Sequence, residues 1–279
     1  MSRFKAAGPT AELTPGVNIP LIGMGTWPMK GSEATEAVRQ AIDNGYRHVD
    51  TSENYENEEA VGEGIRRSGV DRGELFLTTK FNSRWHGRDA VRTAFGHATR
   101  RLGTDYLDLF LVHWPNPAQG RFVEACEGLQ QLADEGFIRA WGVSNFKTEH
   151  LQQVQHVGLV VPLNQVQLDP ECGQPALLAH HRAHGVMTAA YSPLGRGGAV
   201  LGHPALTGPA EMLGRSPAQV LLRWHVQHGR VAIPKSADAG RQRENLDVFS
   251  FSLTPGQLDA IDALDTGAGP RLDSDAFFH

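Results

Sequence analysis

The sequence predicts a (β/α)8 TIM barrel on three observations. Short β-branched runs alternate with helical stretches along the whole chain, which is the pattern of βα units around a parallel sheet. The length of 279 residues is somewhat above the roughly 250 typical of this barrel, so we expect one domain spanning residues 1–279. Eight runs can form strands, which is the number that closes the barrel. They lie at 21–25, 47–50, 75–80, 106–112, 138–143, 163–167, 186–191 and 231–234.

Helices are placed between these strands by capping residues and periodicity. Ser32 begins a predicted helix that ends before Asn44 and Gly45, and Ser216 opens another that ends before Gly229. The remaining helices of the barrel are predicted at 87–101, 121–135, 147–157 and 174–184.

Two additions to the barrel are predicted. Residues 11–20 form an expected β-hairpin around Pro15 and Gly16, which would cover the floor of the barrel. Two extra helices are expected near the end of the chain, at about 239–246 and 255–264.

Composition and charge exclude several classes of partner. Lys and Arg number 26 against 31 Asp and Glu, a net charge of -5, and no basic stripe stands out, so we expect no nucleic acid partner. The N-terminus lacks an apolar signal core and no run approaches the roughly 20 apolar residues of a membrane span, which predicts a cytoplasmic protein without membrane contact. Cys126 and Cys172 have neither disulfide-framework nor metal-ligand spacing, which fits a reducing compartment.

Four polar residues fall at or just beyond the carboxyl ends of three successive predicted strands: Asp50, Tyr55, Lys80 and His113. Neighbouring parallel strands of one barrel open onto one mouth, where enzymes of this fold place their chemistry. Taken singly, Asp50 could cap a turn and Lys80 could be an exposed lysine. Their joint placement favours a convergent site.

These residue types suit protonation of a carbonyl oxygen while a hydride is delivered to its carbon. A neighbouring ammonium stabilises a phenolate, so Lys80 would make Tyr55 a usable general acid. A carboxylate at Asp50 would keep a buried lysine charged. His113 can donate a hydrogen bond to an oxygen on which negative charge develops.

The chain resembles the aldo-keto reductase family, in stretches that occur in order over nearly its whole length. They are GMGTW at 23–27, DTSENYENE at 50–58, TK at 79–80, LGTDYLDL at 102–109, HWP at 113–115, WGVSNF at 141–146, NQVQ at 164–167, YSPLG at 191–195 and IPKS at 233–236. Compact loops make it more similar to the bacterial branch that includes diketogulonate reductases than to longer mammalian members. The resemblance implies NADPH-dependent reduction of aldehydes or ketones to alcohols.

The resemblance also implies how the cofactor and the substrate are held. No Gly-x-Gly-x-x-Gly follows a strand, so the cofactor is not expected on a Rossmann unit. The resemblance implies instead that the cofactor lies extended across the barrel mouth. The positions that match the family's cofactor contacts include Gly25, Thr26, Trp27 and Asp50, then Ser144, Asn145 and Gln165 at the carboxamide and Tyr191 stacked on the nicotinamide ring. The positions that match its contacts to the other end of the cofactor are Ser192, Leu194 and Gly195 near the pyrophosphate, Lys235, Ser236 and Arg241 at the 2′-phosphate, and Glu244 and Asn245 at the adenine. The carbonyl substrate is expected to contact Trp27, Tyr55, His113 and Trp114.

Several alternatives stay open at this point. Trp27 and Trp114 could pack against the barrel rim instead of flanking substrate, and Lys235 and Arg241 could be solvated surface charges. Asp238 brings a negative charge close to the expected 2′-phosphate, which leaves NADH as a weaker alternative cofactor.

The remaining expectations concern metals, assembly and activity. The histidines at 180, 181 and 184 lie on one predicted helix, but no third ligand accompanies a pair on one face, so no metal is predicted. A monomer is expected. The competing functional hypothesis is a nucleotide-sensing regulatory barrel with little turnover, and retention of all four polar residues favours an enzyme.

Overall fold

A parallel eight-stranded barrel with a separate antiparallel hairpin confirms the predicted fold class. The computed structural model describes residues 8–267 and 272–277. The hairpin strands are β1 (Thr10–Thr14) and β2 (Val17–Pro20), and the barrel strands are β3 (Met24–Gly25), β4 (His48–Asp50), β5 (Phe76–Phe81), β6 (Leu107–Val112), β7 (Ile138–Ser144), β8 (Leu163–Gln167), β9 (Met187–Tyr191) and β10 (Val231–Ile233).

The barrel closes between its first and last strands. Each barrel strand pairs with the next one along the chain, in the order β3 to β10. The backbone N–H of Gly23 donates to Ala232 O at 2.9 Å, and Ala232 N–H donates to Leu21 O at 2.9 Å. Because these bonds join the two ends of the sheet, all the strand carboxyl ends surround one mouth.

Ten helices are present in the described part of the chain. They are α1 (Gly31–Asn44), α2 (Glu58–Ser68), α3 (Arg88–Leu102), α4 (Phe122–Asp134), α5 (Thr148–His156), α6 (Pro175–His184), α7 (Pro204–Leu213), α8 (Pro217–Gln227), α9 (Ala239–Leu246) and α10 (Pro255–Asp262). Both extra helices, α9 and α10, lie where they were predicted. Ser216 caps α8 as expected, whereas α1 begins at Gly31, one residue before Ser32, and has no side-chain cap.

Two helices, α2 and α7, were not predicted, and both contain residues that disfavour helices. Helix α2 carries Gly62 and Gly64, where an added Cβ would lie 2.3 Å from Leu102 O and 2.6 Å from Thr35 O. These glycines therefore allow α2 to pack closely on its neighbours, at a cost in helix propensity. Helix α7 contains Pro209 in its interior.

The barrel interior below the mouth is mostly apolar. The hairpin residues Val17 and Ile19 join this interior cluster with Phe76 and Val231, which confirms that the hairpin covers the floor. Side chains two residues apart share one face of a strand. His113 therefore continues the inward row of Leu111. Polar groups line the mouth, and one buried polar pair lies below it, where His48 Nε2 is 3.0 Å from Thr78 Oγ1. No helix within residues 8–267 and 272–277 is long and apolar enough to cross a membrane.

Acid should destabilise the fold below neutral pH. Burial lowers the pKa of His48, His86 and His181 to about 4 and that of His225 to about 3. An unfolded histidine has a pKa of about 6.5. As the pH falls from about 6.5 toward 4, the unfolded state takes up protons that the folded state resists, so each histidine should remove up to about 1.4 kcal/mol of stability per pH unit.

Urea unfolding at pH 7 and pH 5, at one ionic strength, measures this loss. We expect a clearly smaller free energy of unfolding at pH 5. The same value at both pH values would show that these histidines are not held neutral by the fold.

Candidate active site

Asp50 and Lys80 form a buried ion pair at the carboxyl ends of β4 and β5. Lys80 Nζ donates to Asp50 Oδ1 at 2.6 Å and to Thr51 O at 2.9 Å. Both side chains are almost fully buried, with Lys80 only 1% exposed. Burial is the largest single effect and opposes the charge of the ammonium, but Asp50 and Tyr55 together outweigh it and raise the pKa of Lys80. The lysine is therefore held charged beneath the mouth.

Gln165 completes the environment of the carboxylate from across the barrel. Its Nε2 donates to Asp50 Oδ2 at 2.8 Å, although the two residues lie 115 positions apart in the chain. A buried ion pair is tolerated when the remaining lone pairs are satisfied, and here each Asp50 oxygen has a donor. Closure of the barrel brings this third strand, β8, to the pair.

Tyr55 lies above this pair, in a 3-10 turn (Glu53–Tyr55) that follows β4. Lys80 Nζ lies 5.1 Å from the centroid of the Tyr55 ring, and the His113 ring meets the phenol edge-on at 5.8 Å. Burial raises the pKa of Tyr55, and the opposing effect of Lys80 is smaller. The phenol therefore carries its proton at neutral pH. The contribution of Lys80 has the expected sign, but burial outweighs it in this structure.

Ser52 and Asn145 are among the residues that hold His113 in place. Its Nδ1 lies 2.9 Å from Ser52 Oγ, and its backbone carbonyl accepts a hydrogen bond from Asn145 Nδ2 at 3.0 Å. The contact with Ser52 was not predicted, although Ser52 lies inside the stretch at 50–58 that carries the resemblance. The structure thus brings together the four residues predicted from the strand ends.

Asn57, in the same stretch, was also missed. Its Oδ1 accepts from Thr51 Oγ1 at 2.7 Å, and its Nδ2 donates to Thr26 O at 3.2 Å and Met29 O at 2.9 Å. Thr26 in turn donates to Asp50 O at 3.0 Å. These bonds tie the loop after β3 to the loop after β4. The one signal in the sequence that could have indicated this structural role is the place of Asn57 inside the stretch that carries the resemblance.

The four residues expected at the carboxamide and the nicotinamide ring are in contact. Tyr191 OH donates to Asn145 Oδ1 at 2.8 Å, and Asn145 Nδ2 donates to Ser144 Oγ at 3.0 Å. Ser144 Oγ donates to Gln165 O at 2.8 Å. The half-buried ring of Tyr191 lines a cavity of about 540 Å³ together with Asn145. An aromatic face and amide groups thus share one side of the mouth.

The residues expected at the phosphate and the adenine lie around the start of α9. Lys235 and Arg241 are exposed, and buried Ser236 accepts from Asp238 N at 3.1 Å. Asp238 Oδ1 accepts from Arg241 N at 2.8 Å, so its side chain caps the helix. The sequence indicated only an opposing charge at Asp238, whereas the structure gives it a stabilising role.

Further expected cofactor positions lie in α9, in β3 and in the turn that follows β9. Asn245 is buried in α9, and Ser216 Oγ donates to the Glu244 carboxylate, which is therefore engaged with the start of α8. Gly25 N–H donates to Pro234 O at 3.0 Å, so the first barrel strand adjoins the strand that leads to the phosphate residues. Ser192 and Gly195 both adopt positive φ, in the turn that leaves β9.

The two tryptophans expected at the substrate differ in their surroundings. Trp27 is 56% exposed beside the mouth. Trp114 is 4% exposed, and its ring packs 4.6 Å from that of Phe277. Trp114 is therefore buried against Phe277 near the end of the chain, whereas the side chain of Trp27 is available to a ligand.

Residues 21–266 match the model of the Aldo/keto reductase family. A 2,5-diketo-D-gluconic acid reductase B from Corynebacterium sp. (strain SHS752001) is 44% identical over 260 residues, which cover 93% of this chain and 94% of that protein. This match supports the branch indicated by the sequence.

Two solved structures have the same fold. The crystal structure of a Bombyx mori aldo-keto reductase in complex with NADP superposes with a TM-score of 0.87 at 34% identity, covering 94% of each chain. The crystal structure of a point mutant of Gox0644 in complex with NADPH superposes with a TM-score of 0.92 at 39% identity, covering 98% of this chain and all of the other.

Proposed function

The chain belongs to the aldo/keto reductase family, and from this membership we propose that it reduces aldehydes or ketones to alcohols with NADPH, with Tyr55 as general acid. The observation that carries the proposal is the convergence of a protonated phenol, a charged buried lysine and an imidazole at one barrel mouth. Such a set can protonate an oxygen as negative charge develops on it.

The residues at the mouth fit a nicotinamide cofactor. The half-buried Tyr191 ring can stack on a flat heterocycle, and the amides of Asn145 and Gln165 lie on the same side of the mouth. At the far end, exposed Lys235 and Arg241 offer two cations to a phosphate dianion. When bound, NADPH supplies the hydride that no side chain can provide.

The side chains of the site then act on the proton and the developing charge. Tyr55 donates its proton to the carbonyl oxygen, and the charge of Lys80 stabilises the phenolate that remains. Asp50 holds Lys80 in place and keeps it charged. His113 donates a hydrogen bond to the same substrate oxygen and so orients the carbonyl group.

Turnover separates this proposal from a nucleotide-sensing regulatory barrel. We expect the purified protein to oxidise many equivalents of NADPH in the presence of a generic aldehyde such as nitrobenzaldehyde. The loss of NADPH absorbance measures this oxidation. A protein that binds NADPH tightly but oxidises none with a broad panel of aldehydes and ketones would instead be a regulatory barrel.

Arg241→Ala should weaken NADPH binding by about ten- to a hundredfold, since a charge-assisted hydrogen bond contributes roughly 1.5–3 kcal/mol. NADH, which lacks the 2′-phosphate, should bind almost as before. Fluorescence titration of both cofactors measures the difference. The matched control is Arg243→Ala, because Arg243 lies on the same helix but contacts Asn44 at 3.3 Å. Equal losses for NADPH and NADH in the Arg241 variant would show that Arg241 does not bind the phosphate.

The same titration with Asp238→Asn measures how much the negative charge of Asp238 weakens NADPH binding. Asparagine also caps helices well, so α9 should keep its start at this position. Removing one solvent-screened negative charge should tighten NADPH binding by no more than about fivefold. Weaker NADPH binding in this variant would contradict an opposing effect of the carboxylate.

A further inference from the structure

Ser52 is the buried neighbour of the imidazole at the mouth. Its side chain is fully buried, and its Oγ lies 2.9 Å from His113 Nδ1. Two further groups surround the hydroxyl: Asn54 N–H donates to it at 3.2 Å, and the backbone carbonyl of Lys80 lies 3.4 Å away. The position of the single hydroxyl proton therefore decides what the imidazole can do.

The distances place this proton toward the imidazole. A serine hydroxyl has one proton to donate, and one of its lone pairs here accepts from Asn54. The Lys80 carbonyl, at 3.4 Å, lies beyond the usual 2.5–3.0 Å of an O–H···O bond, whereas His113 Nδ1 lies within good hydrogen-bond distance. Ser52 therefore donates to Nδ1, which must be the unprotonated nitrogen. In the neutral ring the proton then resides on Nε2.

We propose that Ser52 is a positioning residue that fixes the Nε2–H tautomer of His113. This inference rests on the proposed function, in which His113 donates a hydrogen bond to the substrate oxygen. With the other tautomer, Nε2 would present a lone pair to that oxygen and repel it. Ser52 thus makes a neutral His113 a donor rather than an acceptor at the mouth.

The tautomer can be measured without any turnover. Nitrogen-15 NMR of the ring nitrogens distinguishes Nδ1–H from Nε2–H, and the signals of His113 are assigned by their loss in His113→Gln. At mildly alkaline pH we expect the Nε2–H form in the wild type. Ser52→Ala should convert a large fraction to the Nδ1–H form, and Ser52→Thr, which keeps a hydroxyl, should restore Nε2–H. An Nδ1–H ring in wild-type His113 would overturn the proposal, and this result does not depend on whether the Ser52 variants fold.

A matched control removes the hydroxyl from another buried hydroxyl–imidazole pair. Thr188 Oγ1 lies 2.8 Å from His181 Nδ1, and Asn164 Nδ2 lies 3.1 Å from His181 Nε2. Thr188→Val should alter the signals of His181 and leave those of His113 unchanged. A change at His113 in this control equal to that in Ser52→Ala would show that the effect is not specific to Ser52.

Kinetics separate this inference from the proposed function. Ser52→Ala should lower kcat/KM for the carbonyl substrate by about ten- to a hundredfold, by analogy with the loss seen when the partner that orients a metal-binding histidine is removed, with NADPH affinity unchanged. Ser52→Thr should recover most of the loss. If the tautomer changes as expected but kcat/KM does not, Ser52 controls the tautomer and the role proposed for His113 is wrong. If the tautomer does not change in Ser52→Ala, the inference about Ser52 is wrong whatever the kinetics.

Discussion

Tyr55→Phe should lower kcat for carbonyl reduction by about 10²–10⁴-fold, the range typical of losing a general acid. Among the four residues that converge at the mouth, we propose Tyr55 as the one that gives its proton to the carbonyl oxygen. Burial raises the pKa of its phenol, so the proton is present at neutral pH. NADPH affinity should be unchanged, because phenylalanine keeps the ring and removes only the hydroxyl.

Tyr106→Phe is the matched control for this prediction. The Tyr106 hydroxyl donates to Arg72 O at 3.3 Å, and Tyr106 directly precedes β6, at the end of the strand opposite the mouth. We expect its kcat to equal that of the wild type. A near-normal kcat in Tyr55→Phe, with a deuterium isotope effect showing that hydride transfer limits the rate, would mean that Tyr55 is not the acid.

Lys80→Met should lower kcat by at least about a hundredfold, because the phenolate left after proton transfer loses its neighbouring positive charge. The change also leaves the Asp50 carboxylate buried, with Gln165 as its remaining side-chain donor. Breaking a buried ion pair in this way typically costs about 3–5 kcal/mol of stability. Thermal unfolding should be measured with kcat, so that both are compared for folded protein.

The control is Lys30→Met, since Lys30 is exposed and pairs with Glu56 at the surface. Exposed ion pairs contribute about 0–1 kcal/mol, so little change is expected in stability or in kcat. If folded Lys80→Met retained kcat within tenfold of the wild type, the proposed stabilisation of the phenolate by Lys80 would be wrong.

The convergence of the four polar residues could be predicted because it depends on local patterns. Asp50, Lys80 and His113 each lie within one residue of the carboxyl end of a strand, and parallel strands of a closed barrel present their ends to one mouth. The donation from Gln165 to Asp50 could not be predicted in the same way. It crosses the barrel between β8 and β4, and its geometry depends on how the whole barrel closes.

The missed features are those in which tertiary contacts override local preference. Helix α2 forms despite Gly62 and Gly64, because close packing on Leu102 and Thr35 requires small residues there. Asp238 is a different case: it was interpreted by its charge alone, although its place directly before the predicted helix at 239–246 is a local signal for the cap that the structure shows. The burial of Trp114 against Phe277 depends on a contact between residues distant in sequence.

The most direct test of the account is the rate of NADPH oxidation in a single turnover, measured by mixing the preformed complex of protein and NADPH with nitrobenzaldehyde. The account predicts rapid oxidation by the wild type and a rate lower by about a hundredfold or more in Tyr55→Phe, at equal occupancy by NADPH. Equal single-turnover rates in the two proteins, or no oxidation by a fully loaded wild type with any aldehyde or ketone tested, would contradict it.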